Sequence, residues 1–530
     1  MTMTETRPSA APAPTPDDRG DAATVGRQPG LISVFGSGDP AVIGRLWIGT
    51  SVLFTLGGLV LAALIGAESL KTLTFNVLGR DTYFQAFSLD HVGLVFLAAI
   101  PMLIGVGTIV VPRQVGADTV AFPRAAAAAY WAYLLGGVMT VASYLINGGP
   151  GGGSVEGVDL FLVALAMVCA ALILASICLV TTVLALRPAG LTLDRVPAFA
   201  WSILVAATIW IAGLAVLVGV LGVLYVDHRY RAFNLGDGNS GTIETWLTFV
   251  RTQPQVYAIG IPVLGFAADV VPTLTGRPQK RHGIVLGAIG AFGVLSFGAW
   301  TLAAHDHPHL YREALYSLMA VAALLPVVAI LGGLVESLIK GKPAVRAPLV
   351  FALAAMLMLG AGVLVGALQV VARLHLIGTA ADDSVTFYVV GAAIIAGIGA
   401  VHWWWPQIVG QHLKQPLASA CAGLLLLGTI LWALPLLVAG LLDEPLGRLG
   451  AVRDGVELLN GVSMLGAAVA ALGVLLLVAN IAGSLGRSTD DADIPADPWD
   501  GFTLEWATEP ATVAVASPTP LLDHKEASAT

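Results

Sequence analysis

LFLVALAMVCAALILASICLVTTVLAL, residues 160–186, runs for 27 residues without one charged side chain. About 20 such residues cross the hydrocarbon core of a bilayer as a helix, so this stretch predicts a membrane span. Comparable runs recur on both sides of it. Working outward, the sequence predicts twelve spans, over 41–66, 87–111, 125–146, 158–186, 198–226, 243–275, 283–304, 314–339, 347–371, 385–409, 417–441 and 457–484. Backbone groups in lipid must be satisfied within their own segment, and the alternation of a barrel strand is absent, so the spans are helices.

Composition agrees with that reading. Of 530 residues, 57% are hydrophobic and 11% charged, more apolar surface than a soluble core of this length hides. The net charge of -8 and the lack of a Lys/Arg cluster argue against a nucleic-acid partner. Cys169, Cys178 and Cys421 all fall inside apolar runs, which suits buried thiols and offers no spacing for a disulfide framework or thiolate metal site. The glycine-rich segment 148–153 joins two membrane helices and opens no strand-to-helix turn, so it reads as a loop and not a phosphate cradle.

Three regions follow: a disordered tail over 1–40, rich in Ala, Pro, Thr and Asp; a membrane domain over 41–484; and a C-terminal tail over 485–530. No apolar stretch lies close enough to the start to act as a signal peptide. With the N-terminus inside, 17 of the 26 Lys and Arg residues fall on the inner side, 8 on the outer side, and Arg251 within a span. The excess predicts a multi-pass protein of the cell membrane with both termini cytoplasmic. Trp403, Trp404 and Trp405 then end the tenth span and read as an anchor at headgroup level.

Several ordered stretches resemble subunit 1 of cytochrome c oxidase, the core subunit of the heme-copper oxidases. In the second span and its exit loop these are Pro101, Gly105, Gly107, Pro112, Gly116-Ala117 and Ala121-Phe122-Pro123-Arg124, followed by Tyr130-Trp131. The fifth span opens with Leu191-Thr192-Leu193, Val196-Pro197 and Phe199-Ala200-Trp201-Ser202. The sixth carries Pro254, Val256-Tyr257, Pro262 and Gly265; Trp405-Pro406 and Gly410 close the tenth, and Asn480 lies in the twelfth. Beyond the last span, Asp497-Pro498-Trp499 and Thr503-Leu504-Glu505-Trp506 are similar to the family's tail. The resemblance implies an all-α integral membrane protein, a twelve-transmembrane-helix bundle of the heme-copper oxidase subunit 1 type. It also implies two hemes and a copper held by six histidines, imidazole nitrogen being a strong ligand for both metals.

Position by position, most of those histidines are missing. Where the resemblance implies His-Pro-Glu-Val-Tyr, this chain has Gln253-Pro254-Gln255-Val256-Tyr257. An amide at Gln253 is a poor copper ligand, and Gln255 cannot ionise to relay a proton. Tyr257 is retained and reads as a packing residue. Aligning Trp300 with the family's Trp puts Leu302 and Ala303 where an adjacent His pair is implied, and placing Tyr388 likewise puts Val385, Thr386 and Phe387 over the implied His-Phe-His. Copper is therefore not expected, and heme only through His91, which stands near the remaining heme-ligand position. His91 lies one or two residues closer to Pro112 than the family pattern. At about 100° of rotation per helical residue, its direction depends on an irregularity in the helix.

Outside the resemblance, His305, His307 and His309 with Asp306 form an outer-loop cluster that could chelate a divalent metal; a solvated loop is the plainer reading. His228, His375 and His402 stand singly near helix ends, as interfacial histidines do. Arg251 and Asp269 are charges within the sixth span, where charges usually face a polar interior.

Three function classes compete. A working terminal oxidase would pass electrons from cytochrome c to oxygen in the aerobic respiratory chain and pump protons. A degenerate paralogue, a pseudoenzyme, would keep the bundle as a scaffold or partner of other oxidase subunits or a respiratory complex, with a single-heme electron-transfer protein as the intermediate case. A transporter would use the helix-breaking Pro254, Pro262 and Gly265, but the oxidases carry the same features. The paralogue is the expectation, because no position for a copper triad remains.

Overall fold

The computed structural model describes residues 37–70, 78, 80–150, 152–188, 190–232, 255–279, 281–296, 310–447, 455–485 and 497–506. Within them the chain forms α1 (Pro40–Glu68), α2 (Arg80–Val92, Gly93–Ala99 and Ile100–Gln114, continuous), α3 (Pro123–Leu145), α4 (Val155–Ala185), α5 (Ala198–Tyr230) and α6 (Gln255–Leu274). Then follow α7 (His282–Leu295), α8 (Leu310–Ala322 and Leu324–Lys340), α9 (Ala347–Gln369), α10 (Ala380–Val409), α11 (Gln415–Leu441) and α12 (Val456–Leu485). The twelve correspond in order to the twelve predicted spans. Among the described residues eleven are long and apolar enough to cross a membrane, and α7 is shorter.

Helix starts follow local chemistry. Asp39 caps α1, its Oδ1 accepting from the Ala41 amide at 2.9 Å, and Ser154 caps α4, its Oγ accepting from the Gly157 amide at 3.1 Å. Two helices begin before their apolar runs do. Thr379 caps α10, so Asp382 and Asp383 lie in its first turn, where carboxylates favour the positive helix end; a reading by hydropathy alone begins this span at 385. In the same way α2 takes in Arg80 and the polar residues up to His91.

Chain neighbours pack side by side, and α12 returns to pack on α1, closing a ring. Inside the ring, the apolar windows of α2 and α10 are wholly buried and that of α6 nearly so. Outward-facing Leu53, Leu145, Ile339 and Leu458 are exposed on α1, α3, α8 and α12, a distribution suited to lipid and costly in water. Small residues allow close approach. A Cβ on Gly428 of α11 would lie 2.5 Å from the Ala470 backbone nitrogen of α12, so this contact requires glycine.

In α2 the segment Gly93–Ala99 is π-helical. Pro101 has no N–H to give to the Leu97 carbonyl one turn back, and the Tyr133 hydroxyl of α3 donates to that carbonyl at 2.6 Å. The irregularity on which the direction of His91 depends therefore exists, one residue beyond Val92.

The tryptophan triplet corrects one expectation. Trp403, Trp404 and Trp405 are buried because residues 497–506 fold back over them: the Trp499 and Trp403 rings stack at 4.9 Å, and Trp405 Nε1 donates to Ser484 Oγ of α12 at 3.1 Å. They hold protein to protein and do not face lipid. His402 is also buried, stacked on Phe351 at 4.8 Å. Asn480 clasps the α10–α11 loop, accepting from the Lys414 amide and donating to the Lys414 carbonyl.

Candidate functional site

At the end of the bundle where α2 and α10 begin, His91 is turned inward and is 2% exposed. Its Nδ1–H donates to the Phe87 carbonyl one turn back, at 2.9 Å. Its Nε2 lies 2.7 Å from Oδ1 of Asp383, in the first turn of α10. With Nδ1 committed as a donor, contact between Nε2 and a carboxyl oxygen requires one further proton on the pair. The pair is therefore an imidazolium beside a carboxylate, or a neutral ring accepting from a carboxylic acid.

Aromatic rings close around the pair. Phe87 lies 4.5 Å and Phe387 5.3 Å from the His91 ring, and Phe387 stacks on Trp432 of α11 at 4.0 Å with 19° between planes. Ser69, Tyr83 and Glu444 complete the polar wall of a cavity of about 80 Å³. That is room for a few waters, at roughly 10–15 Å³ each. It is not room for a porphyrin.

The group implied by the resemblance can be tested against these residues. A heme iron between α2 and α10 needs a free imidazole nitrogen from each helix. Both nitrogens of His91 are engaged. Facing it, α10 offers Asp383, then Val385, Thr386 and Phe387, all buried. The donor set does not fit a heme held by two imidazoles.

Of the other residues singled out in the sequence, Gln255 is the first residue of α6. Tyr257 is 4% exposed, its ring edge-on to Phe292 at 6.1 Å and its hydroxyl against Gly366 of α9. Arg251, Gln253, Leu302, Ala303, His305, His307 and His309 lie outside the described residues. Among the described residues no group of three or more His, Cys, Asp or Glu side chains is placed to hold a metal ion. His228 pairs with Asp159 at 2.9 Å. Asp269 caps α5, accepting from the Ala198 and Phe199 amides at 3.0 and 2.9 Å.

Sequence reasoning passed over Asp383 and Trp432. The first carried a usable signal, a carboxylate two residues ahead of an expected ligand position. Nothing in the sequence joins Trp432 to Phe387, since that contact is made between two helices.

The geometry thus defines a polytopic helical membrane protein whose central helices α2 and α10 meet through a buried His–Asp contact. Residues 42–471 match the family described as Cytochrome C and Quinol oxidase polypeptide I, and the chain belongs to that family. It is 27% identical to a Streptomyces coelicolor protein carrying the name cytochrome c oxidase subunit 1-beta, over 96% of this chain and 91% of that one. It is 28% identical to the heme-copper oxidase subunit I+III of Aeropyrum pernix, over 88% of this chain and 59% of that one. To the quinol oxidase subunit 1 of Bacillus subtilis it is 25% identical, over 89% and 76%. The family normally carries heme and copper and contributes to multi-subunit oxidases.

Proposed function

We propose that this chain is a non-catalytic member of the family, a membrane scaffold or partner for oxidase subunits or another respiratory complex, with no oxygen reduction of its own. The observation that carries the reading is the direct His91–Asp383 contact, 2.7 Å long. An iron atom held between two helices requires its ligand nitrogens to point at the metal, whereas here the imidazole is spent on a carboxylate. Gln253, Leu302 and Ala303, at the positions aligned with the copper ligands, support the same reading. So does the aromatic fill from Phe387 and Trp432, because an empty cofactor pocket would cost packing energy. The charge asymmetry of the loops supports cytoplasmic termini, which would put the His91 cavity at the outer face.

A second reading, a single-heme electron-transfer protein, is favoured by one observation: His91 faces the interior toward α10 rather than lipid. One experiment separates the two. The full chain is purified from a host that makes heme, its absorption spectrum recorded, and iron and copper counted per chain. The scaffold reading expects no Soret band and no stoichiometric metal, together with recovery of oxidase subunits on the tagged chain. One heme that disappears in His91→Ala establishes the second reading. Two hemes with copper overturn both.

A further inference from the structure

At the opposite end of the bundle, residues 497–506 lie across the ends of α2, α6 and α10 and the start of α5. Trp499 Nε1 donates to the Trp403 carbonyl at 3.0 Å, and Trp506 packs edge-on to Trp403 at 5.6 Å. Between these anchors Glu505 enters the bundle and is 6% exposed. Its Oε1 accepts from Gln114 Nε2 of α2 at 2.9 Å and from Trp404 Nε1 of α10 at 3.2 Å. Gln114 Nε2 also donates to Asp269 Oδ2 of α6 at 3.2 Å, so one amide bridges two buried carboxyl groups.

Two atoms in this cluster are buried with no hydrogen-bond partner: Glu505 Oε2 and Gln114 Oε1. Both are acceptors, and their side chains are already joined through Gln114 Nε2 and Glu505 Oε1. A proton on Glu505 Oε2 turns one of these orphan acceptors into a donor. Asp269 has no such orphan, since its two oxygens already accept three hydrogen bonds. Among the described residues, few charges face Glu505 from the elements around it. Asp269 on α6 is the second carboxyl beside it, joined to it through Gln114 Nε2. Arg113 on α2 is the cation facing it, and its Nη1 is committed to the Gln407 carbonyl at 2.7 Å. The packed ends of α5 and α10 contribute Ala198, Phe199 and Trp404, none of them charged.

We infer that Glu505 docks as the neutral carboxylic acid, making the C-terminal segment a proton-dependent latch over Asp269. Burial pushes the Glu505 carboxyl above the ordinary carboxylate range, which supports the same conclusion. The sign follows from linkage. A group whose docked pKa is raised contributes docking stability that is complete below its undocked pKa and is lost as pH rises through the docked one. The latch therefore holds in acid and loosens as pH climbs above the ordinary carboxylate range.

The test uses the full chain in lipid nanodiscs. Hydrogen exchange of the 497–506 peptide is followed across pH, each rate normalised to that of an unstructured peptide, for wild type and for Glu505→Gln. The amide mimics the neutral acid. Infrared spectra of the same samples report the carbonyl stretch of a protonated carboxyl. Wild-type protection is expected to fall by about tenfold per pH unit across the transition, as release of one proton requires. In Glu505→Gln, protection is expected to stay level and the acid band to be smaller than in wild type by one carboxyl per chain. Wild-type protection that does not change with pH, or a variant that follows the wild-type profile, overturns the latch. Should the variant fail to fold, the wild-type spectrum decides: no protonated-carboxyl band at a pH where the segment is protected overturns it, and a band that fades together with protection supports it.

Discussion

The His91 ring and the Asp383 carboxyl group are 292 residues apart in the chain and 2.7 Å apart in the bundle. Their side chains are 1% and 10% exposed, so either one left alone is a buried polar group without its partner. Asp383→Ala is expected to lower stability by about 3 kcal/mol, the low end for breaking a buried pair. The double variant His91→Leu with Asp383→Leu should lose less than the two single losses added together, because it removes both halves at once. Thermal unfolding in detergent reads both values. Simple additivity would mean that the pair is not coupled.

Phe387 and Trp432 together fill the space beside that pair. Phe387→Ala should cost about 3 kcal/mol through the cavity it opens and the lost ring contact. Phe387→Leu should cost less than half as much. Equal losses in unfolding midpoint for the two variants would show that the stack contributes little.

The α11–α12 contact is set by backbone proximity. Gly428→Leu should destabilise by about 3 kcal/mol, since a side chain there meets the Ala470 backbone and nothing flexible. Gly423 on the same helix has nothing within 4 Å of a built Cβ, so Gly423→Leu should be neutral. A pair of variants that unfold together would remove the packing argument.

His402 stacks on Phe351, and its Nε2 is buried without a partner. An unsatisfied buried polar atom costs about 1–3 kcal/mol, while its bond from Nδ1 to the Ile398 carbonyl returns about 1 kcal/mol. His402→Phe keeps the ring and removes the orphan, so it should raise stability by about 1 kcal/mol. A lowered melting temperature would mean that Nε2 is satisfied in the folded protein.

Most of the fold was readable in the chain. The apolar run over 160–186 announces its helix without reference to anything else, and the ordered Pro, Gly and Trp landmarks carry the family. Readings by hydropathy stumbled where charge sits inside a helix. Asp382 and Asp383 looked like loop, although the first turn of a helix accepts carboxylates. The Trp403–Trp405 anchor was misread for a different reason: a tryptophan at a span end suits lipid headgroups or a docked segment equally well, and only the returning Trp499 decides between them. For the site, the absence of paired histidines at 385–387 and 302–303 was plain in the letters. What His91 touches was not.

By itself the sequence determined that this protein lives in a bilayer, crosses it as helices, and follows one family's order of landmarks. Those properties depend on residues close together in the chain, because lipid requires each span to satisfy its own backbone and bury its own length. Tertiary structure alone decided that Asp383 meets His91, that Phe387 rests on Trp432, and that Glu505 enters beside Asp269. Each such contact depends on the rotation of one helix against another. A π-helical turn behind Pro101, or a tail returning across the bundle, resets that rotation or adds a new neighbour without leaving a local mark in the chain.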